Sequence, residues 1–203
     1  MPAIPKTAIT ALILAGGRGT RMGGSDKGLL AWGGVSLIER VLAGVAPLVD
    51  GVMISANRNL DRYRAYGLPV LPDADDDAFS GPLAGISRGL DACTTPWLWV
   101  LPCDVPQVHG ELLARLIDAC ATTGCKAAVP HDAQHMHATF ALLSTAVAAE
   151  LHAFLAAGRR KARDWLAALP AARVDCSDHA EWFVNINTPE DLQRYRRQET
   201  ASM

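Results

Sequence analysis

Short apolar runs alternate with longer amphipathic stretches along most of the chain. Short apolar runs bounded by glycine or proline are typical of buried strands, and apolar residues three and four positions apart are typical of helices. These patterns predict strands at Ile9–Leu14, Gly51–Ser55, Val70–Leu71, Trp97–Leu101 and Cys125–Val129. They predict helices at Val35–Leu48, Asn59–Tyr66, Pro82–Ala92 and Gly110–Ala121.

This alternation of strands and helices determines the predicted fold class. Successive strands joined through helices need crossover connections, which favour a mostly parallel sheet with helices on both faces. Because such crossovers are right-handed, the sheet is expected to be doubly wound. We therefore predict a Rossmann-like α/β fold with three layers, helix on sheet on helix. The length of 203 residues fits one domain.

The last third of the chain departs from the alternation. Its predicted elements are a strand-like run at Thr139–Leu143, helices at Ala146–Ala156 and Arg163–Ala168, and an edge strand at Arg173–Cys176. A final helix is predicted through Arg197, with Thr188 as its N-cap and Pro189 at its first position. Near the start of the chain, Ser36 and Glu39 have the spacing of a capping box.

Composition narrows the classes of function. Half of the residues are hydrophobic and the formal net charge is -2, so a globular protein without the basic excess of nucleic-acid binding is expected. The only acidic run, Asp73–Asp77, falls in a predicted loop. No secretory signal or membrane span is recognised, and five cysteines without C-x-x-C spacing indicate free thiols. We therefore expect a cytoplasmic protein that binds a charged small molecule.

The first segment that carries chemistry lies directly after the first predicted strand. Residues 14–27 read LAGGRGTRMGGSDK. Glycines allow backbone N–H groups to approach phosphate oxygens, and Arg18, Arg21 and Lys27 add three cations. The pattern is neither a P-loop nor G-x-G-x-x-G. Its position at the carboxyl end of a strand favours phosphate binding over a flexible loop with solvated cations.

Three further acidic or amide side chains follow predicted strands. Asp104 lies in the segment PCDVP that ends the Trp97–Leu101 strand, and a carboxylate there suits Mg²⁺ bridging substrate phosphates. The alternative is a turn aspartate that binds its own backbone. Asn57 and Asp73 follow two other strands and would face the same crevice, or serve as capping and turn residues. The segment Ser80–Ile86 suggests close backbone packing, against a ligand or a strand.

Together these segments resemble the molybdenum cofactor guanylyltransferases of the Gly-rich-loop nucleotidyltransferase superfamily. The pattern L-A-G-G-x-x-x-R-M-G-G-x-D-K-x-L begins at Leu14, and it is followed by GPLAG at 81–85, PCDVP at 102–106 and NINTPEDL at 185–192. The matches occur in the family's order and span residues 12–192. The resemblance implies transfer of GMP from GTP to a molybdopterin-type acceptor, with release of pyrophosphate.

The resemblance also implies roles for individual residues. It assigns the guanine nucleotide to Leu14, Ala15, Gly16 and Gly17, its phosphates to Lys27 and Arg21, the nucleoside to Asn57 and Asp73, Mg²⁺ to Asp104, and the molybdopterin side to Asn185 and Asn187. Lys27, Arg21 and Asp104 would carry the catalysis. Residues 8–110 would form a nucleotide-binding half and residues 111–197 an acceptor-binding half. A monomer with transient contacts to molybdoenzymes or their chaperones is expected.

Two departures from the family pattern concern the acceptor side. Ala138 follows His137 where members often have proline. The family's basic pair after a glycine appears here as Arg159 and Arg160, but Lys161 and Arg163 follow it, so the cation of this basic cluster that meets the acceptor stays open. The cluster suits an anionic acceptor or a solvated helix N-terminus. His131, His135 and His137 lack a fixed ligand spacing and are interpreted as surface or acceptor contacts rather than a zinc site.

Alternative functions stay open at this point. They are a relative that uses CTP, a sugar-phosphate nucleotidyltransferase, and a non-catalytic nucleotide-binding or adaptor protein. The presence of both Lys27 and Asp104 argues against the adaptor, because a protein that only binds could lose the metal carboxylate.

Overall fold

The computed structural model describes residues 4–17, 26–74, 81–105, 107–186, 188, 191 and 193. The strands are β1 (Ile9–Leu14), β2 (Ala31–Trp32), β3 (Val35–Ser36), β4 (Gly51–Ser55), β5 (Val70–Leu71), β6 (Trp97–Pro102), β7 (Ala127–His131), β8 (Leu142–Ser144) and β9 (Ala172–Asp175). The α-helices are α1 (Leu37–Val45), α2 (Leu60–Arg64), α3 (Pro82–Ala92), α4 (Gly110–Thr123), α5 (Ala148–Ala156) and α6 (Ala162–Ala168). Short 3₁₀ turns span Lys6–Ala8, Lys27–Leu29, Ala138–Phe140, Thr145–Val147 and Ser177–Phe183.

Seven of these strands form one sheet in the order β5-β4-β1-β6-β8-β7-β9. All neighbours in it are parallel except β8, which runs antiparallel to both β6 and β7. β1 lies between β4 and β6, and its Leu12 is in register with Met53 of β4 and with Val100 of β6. The sheet confirms the predicted α/β class.

Alternate residues of β1 point to opposite faces of the sheet and enter two separate apolar clusters. Ile13 packs in the cluster that includes Ile38 of α1 and Leu116 of α4. Leu12 packs in the cluster that includes Ile86 of α3 and Trp165 of α6. All six side chains are at most 1% exposed. Helices therefore cover both faces, which confirms the three layers. Burial of side chains of this size stabilises the fold by about 1.5–3 kcal/mol each.

The predicted helix at Val35–Leu48 is shorter in the structure, because its first two residues form strand β3. The strand ends at Ser36, whose hydroxyl accepts a hydrogen bond from the backbone N–H of Glu39. The Glu39 carboxylate in turn accepts from the backbone N–H of Ser36 at 2.6 Å. The predicted capping box is therefore confirmed, and it marks the point where the strand becomes α1.

The last third contains the larger corrections. The strand-like run Thr139–Leu143 begins as a 3₁₀ turn, in which Phe140 packs edge-on against Phe183, and only Leu142–Ser144 is a strand. The strand predicted at Cys125–Val129 begins two residues later, because α4 continues to Thr123 and ends on Gly124 with φ 69°. The 3₁₀ turn at Ser177–Phe183 was not predicted.

The N-cap of the final predicted helix lies partly within the described residues. The hydroxyl of Thr188 accepts from the backbone N–H of Asp191 at 3.1 Å, and the Asp191 carboxylate accepts from the backbone N–H of Thr188 at 3.0 Å. This reciprocal pair confirms Thr188 as the N-cap. Pro189 and the residues from 194 onward lie outside the described part. No helix in the described ranges is long and apolar enough to cross a membrane.

Candidate functional site

A cavity of about 510 Å³ opens at the carboxyl ends of β1, β4 and β6. Ligands of doubly wound sheets bind at this edge. The cavity brings together segments that are far apart in the sequence. Its lining comprises Leu14, Ala15, Gly16, Gly17, Asp26, Lys27, Ser55, Asn57, Asp73, Gly81, Pro82, Gly85, Pro102, Cys103, Asp104, Thr139 and Asn185.

Backbone hydrogen bonds hold the three strand ends together at the base of the cavity. The N–H of Ala15 donates to the carbonyl of Ser55 at 2.7 Å, and the N–H of Cys103 donates to the carbonyl of Leu14 at 3.1 Å. A Cβ atom at Gly16 would lie 3.0 Å from the side-chain nitrogen of Asn57. Glycine at this position therefore allows the first loop to run close to the end of β4, with its backbone toward the cavity.

Lys27 and Asp104 meet on the other side of the cavity. The Lys27 ammonium lies 3.1 Å from Oδ2 of Asp104, and their side chains are 23% and 13% exposed. Lys27 begins the 3₁₀ turn at Lys27–Leu29, and Asp104 follows the end of β6. The Asp104 carbonyl accepts from the backbone N–H of Ile186 at 2.8 Å, which brings the segment around Asn185 to the same edge. The sequence-predicted cation and carboxylate are therefore neighbours.

Asn57 and Asp73 form a second polar pair in the cavity. The Asn57 amide nitrogen donates to Oδ2 of Asp73 at 2.7 Å, and the backbone N–H of Asp73 donates to Oδ1 of Asn57 at 2.8 Å. These two bonds hold the ends of β4 and β5 together. The prediction that both residues face one crevice is confirmed, and the pair also performs the turn-bracing role that was the alternative.

A third polar group was not predicted from the sequence. The Asp26 carboxylate accepts from the Tyr63 hydroxyl at 2.6 Å and from the Asn59 side chain at 3.0 Å. The guanidinium of Arg58 donates to the carbonyl of Gly17 at 3.0 Å. Arg58, Asn59 and Tyr63 follow β4 in the sequence, and that position was the only signal that could have pointed to their contacts with Gly17 and Asp26.

Cys103 lines the cavity beside these charged groups, and its surroundings disfavour the thiolate. Burial, and then the nearby carboxylates of Asp104 and Asp26, raise the pKa of the Cys103 thiol well above its ordinary value. The thiol therefore stays protonated, whereas the thiolate is the reactive form. The chemistry of the cavity belongs to its cation, its carboxylates and its backbone N–H groups.

The segment at 81–85 supplies close packing on the opposite wall. Gly81 precedes α3 with φ 92°, a conformation that side chains rarely adopt, and Pro82 begins the helix. A Cβ atom at Gly85 would collide with the Ser55 hydroxyl at the end of β4. The predicted close approach is thus to a strand, and it leaves the N-terminus of α3 facing the cavity. Arg21 and Asn187 lie outside the described residues.

The basic cluster and the three predicted surface histidines do not line this cavity. The Arg160 guanidinium donates to the carbonyls of Leu155 and Arg159 at the end of α5, at 2.6 and 2.9 Å. The Arg159 guanidinium lies 4.1 Å from the centre of the Phe154 ring. These contacts place the Arg159 and Arg160 side chains against the end of α5 rather than in the cavity.

His137 packs against an aromatic ring and contacts a carboxylate. Its ring stacks on Phe183 with centroids 3.8 Å apart, and its Nε2 lies 2.8 Å from Oδ2 of Asp132. Burial lowers the pKa of His137, although the Asp132 carboxylate opposes this shift. Within the ranges that the structure describes, no group of three or more His, Cys, Asp or Glu side chains could hold a metal ion.

Comparisons with known proteins find relatives that match nearly the whole chain. The sequence pattern of the MobA-like NTP transferase domain family matches residues 11–174. The molybdenum cofactor guanylyltransferase of Ralstonia nicotianae is 43% identical over 200 residues, covering 94% of this chain and 97% of that protein. The protein of the same name from Burkholderia vietnamiensis is 44% identical over 206 residues, covering 97% of this chain and all of that protein.

Solved structures give the same picture of the fold. The crystal structure of molybdopterin-guanine dinucleotide biosynthesis protein A from Archaeoglobus fulgidus superposes with a TM-score of 0.78 at 25% identity, covering 96% of this chain and 100% of that chain. The 2-C-methyl-D-erythritol 4-phosphate cytidylyltransferase of Thermus thermophilus superposes with a TM-score of 0.70 at 19% identity, covering 93% and 98%. The second likeness concerns the fold alone.

Proposed function

The chain belongs to the MobA-like NTP transferase domain family, and we propose that it transfers GMP from GTP to a molybdopterin-type molybdenum cofactor, forming the guanine dinucleotide cofactor and pyrophosphate. Relatives named molybdenum cofactor guanylyltransferase match it over nearly their whole length. The observation that carries the proposal is the Lys27–Asp104 pair at 3.1 Å in the cavity that residues 14–17 also line. A cation beside a carboxylate suits a nucleoside triphosphate with its metal.

The donor nucleotide occupies the side of the cavity formed by the ends of β1 and β4. Backbone groups of Leu14–Gly17 contact the guanine nucleotide, and the paired side chains of Asn57 and Asp73 hold the nucleoside. The Lys27 ammonium binds the phosphates as a point charge. Arg21 is the second phosphate cation in this proposal, on the basis of the family pattern alone.

Asp104 is the carboxylate of the cavity that suits Mg²⁺, since Asp73 accepts a hydrogen bond from Asn57. Asp104 presents a single, mostly buried carboxylate beside Lys27, whereas both carboxylate oxygens of Asp26 already accept hydrogen bonds from the protein. Mg²⁺ in nucleotide sites uses one or two carboxylates together with phosphate and water oxygens. Asp104 would therefore hold the ion. When bound, Mg²⁺ supplies neutralisation of phosphate charge and orientation of the reacting oxygens.

The acceptor occupies the side of the cavity that is formed by the later part of the chain. Asn185 and Thr139 line it there, and Asn185 can donate and accept hydrogen bonds with a pterin edge. Asn187 joins it by the family pattern. In this proposal residues 8–110 bind the nucleotide and residues 111–197 bind the acceptor, although both groups contribute strands to one sheet.

The reaction needs positioning and charge neutralisation rather than a protein nucleophile. The acceptor's terminal phosphate attacks the α-phosphorus of GTP, the bond from that phosphorus to the β-phosphate oxygen breaks, and pyrophosphate leaves. A phosphate oxygen is already ionised at neutral pH, so no general base is required. Lys27 offsets the negative charge that builds on the leaving pyrophosphate.

The setting of the reaction is part of the proposal. The five cysteines are all free thiols in the structure, which suits a reducing cytoplasm. We propose a cytoplasmic, monomeric enzyme that meets molybdoenzymes or their chaperones only transiently.

The proposal is tested by following label from GTP. Purified protein is incubated with molybdopterin, Mg²⁺ and GTP labelled either at the α-phosphate or at the γ-phosphate. The α-label is expected in the dinucleotide product and the γ-label in pyrophosphate. Label in inorganic phosphate, or no product of the dinucleotide mass, would reject guanylyl transfer.

A further inference from the structure

One short segment, Asn57–Tyr63, contacts both sides of the glycine-rich stretch that precedes Lys27. Arg58 donates to the carbonyl of Gly17 at 3.0 Å. Asn59 and Tyr63 donate to the two carboxylate oxygens of Asp26, at 3.0 and 2.6 Å. Residues 17 and 26 therefore both have partners in the same seven residues after β4.

Tyr63 is built into this position. Its side chain is fully buried, and a Cβ atom at Gly28 would lie 2.6 Å from its hydroxyl oxygen. The hydroxyl thus occupies a niche between Asp26 and the backbone of Gly28. Burial, with Cys103 and Asp26 adding to it, raises the pKa of Tyr63 far above its ordinary value, so the hydroxyl stays a proton donor to the Asp26 carboxylate.

Asn59 adopts a backbone conformation that leaves its side chain available for Asp26. It has φ 51° and ψ 33°, and it is the one residue other than glycine with positive φ among the described residues. Asparagine tolerates this left-handed conformation better than most residues. Although Asn59 precedes α2 at the N-cap position, its side chain makes no capping hydrogen bond. The amide serves Asp26 instead.

We propose that Tyr63 and Asn59 are positioning residues for the reaction, because they hold Asp26 and thereby set the adjacent Lys27 against Asp104. This inference rests on the proposed function. Lys27 is next to Asp26 in the chain, and its ammonium lies 3.1 Å from Asp104. A hydrogen bond from a neutral donor to a carboxylate is stronger than one between neutral groups. Two such bonds fix the carboxylate, and with it the backbone from which Lys27 extends.

The first test removes one hydroxyl at a time, from Tyr63 in α2 and from Tyr66 in the turn that follows this helix. Tyr63→Phe deletes the donor to Asp26, and the matched control Tyr66→Phe deletes a hydroxyl that lies 3.2 Å from the Ser36 hydroxyl. Tyr63→Phe is expected to lower kcat/KM for GTP by about tenfold, since a hydrogen bond to a charged group is lost. Its KM for molybdopterin should stay within about twofold, and Tyr66→Phe should match wild type. Equal losses in the two variants would overturn the proposal.

The second test removes the amide without changing the backbone. Asn59→Gly keeps a residue that adopts positive φ freely. It is expected to reproduce the selective loss on GTP seen for Tyr63→Phe. If kcat/KM fell equally for GTP and for molybdopterin, the role of Asn59 would be purely structural and the proposal would be overturned.

A double-mutant comparison separates positioning of Lys27 from any other effect. If Tyr63 acts through Lys27, Tyr63→Phe should cost little in a Lys27→Ala background, since the group it positions is gone. A full additional loss in that background would overturn the proposal. The affinity of each variant for GTP, measured without acceptor, reports whether Tyr63 and Asn59 position Lys27. This measurement is informative even if the wild-type protein makes no dinucleotide. Absent dinucleotide with a selective loss of GTP affinity would reject only the proposed function.

Discussion

The ammonium of Lys27 lies 3.1 Å from the carboxylate of Asp104, a residue 77 positions away in the sequence. The pairing depends on the parallel register of β1 and β6, which brings Leu14 beside Pro102 at the same edge of the sheet. Both side chains are mostly buried, so each restricts where the other can lie. The cation and the carboxylate therefore line one cavity together, which is the basis for proposing that they act on one ligand.

The first prediction concerns Asp104. Asp104→Asn keeps the shape of the side chain and removes its charge, so the fold should persist while turnover falls by about tenfold or more, equivalent to about 1.4 kcal/mol of barrier. The measurement is kcat at increasing Mg²⁺ together with the melting temperature. Near-normal turnover of the folded variant at saturating Mg²⁺ would exclude Asp104 as the metal carboxylate.

The second prediction separates the donor side from the acceptor side. Lys27→Ala should weaken GTP binding and slow the chemistry together, because its charge acts on ground and transition states. Asn185→Ala should raise the KM for molybdopterin and leave GTP affinity within about threefold of wild type. GTP affinity, acceptor KM and melting temperature are measured on the same preparations. A matched loss of both substrates with a lowered melting temperature in Asn185→Ala would show that Asn185 only braces the structure.

The third prediction concerns acid stability. The Arg115 guanidinium contacts Asp178 at 2.8 Å and lowers the pKa of that carboxyl to about 2. Since the pKa in the unfolded chain is about 3.9, the stabilisation by this pair is fully present above that value and is lost as pH falls toward 2. The difference in urea midpoint between wild type and Asp178→Asn should therefore shrink between about pH 6 and pH 3. A constant difference would mean that the charge of Asp178 contributes nothing.

The boundaries predicted from the sequence agree with the structure where glycine or proline marks the end or the start of an element. β1 ends at the glycines after Leu14, and α3 begins at Pro82, as expected, because glycine and proline restrict the local backbone regardless of tertiary context. The helix after Ser36 was predicted too long, since Val35 pairs with Trp32 in a two-stranded sheet. Cross-strand pairing of this kind leaves no periodic signal over two residues.

Parts of the site were less accessible to sequence reasoning. The meeting of Lys27 with Asp104 follows from the parallel sheet and could be predicted. The bond from Tyr63 to Asp26 spans 37 positions and depends on how α2 packs, so no local pattern reports it. β8 was also unexpected as an antiparallel strand between β6 and β7, because three residues carry too little pattern to fix a direction.

The measurement that tests the central claim most directly is turnover with each of the four ribonucleoside triphosphates, with Mg²⁺ and molybdopterin, scored by pyrophosphate release and product mass. Sites that bind a base through hydrogen bonds discriminate strongly against bases that lack the matching groups. We predict that GTP gives the highest kcat/KM and yields the guanine dinucleotide. Equal or faster turnover with CTP would contradict guanylyl specificity. If none of the four nucleotides released pyrophosphate, nucleotidyl transfer itself would be contradicted.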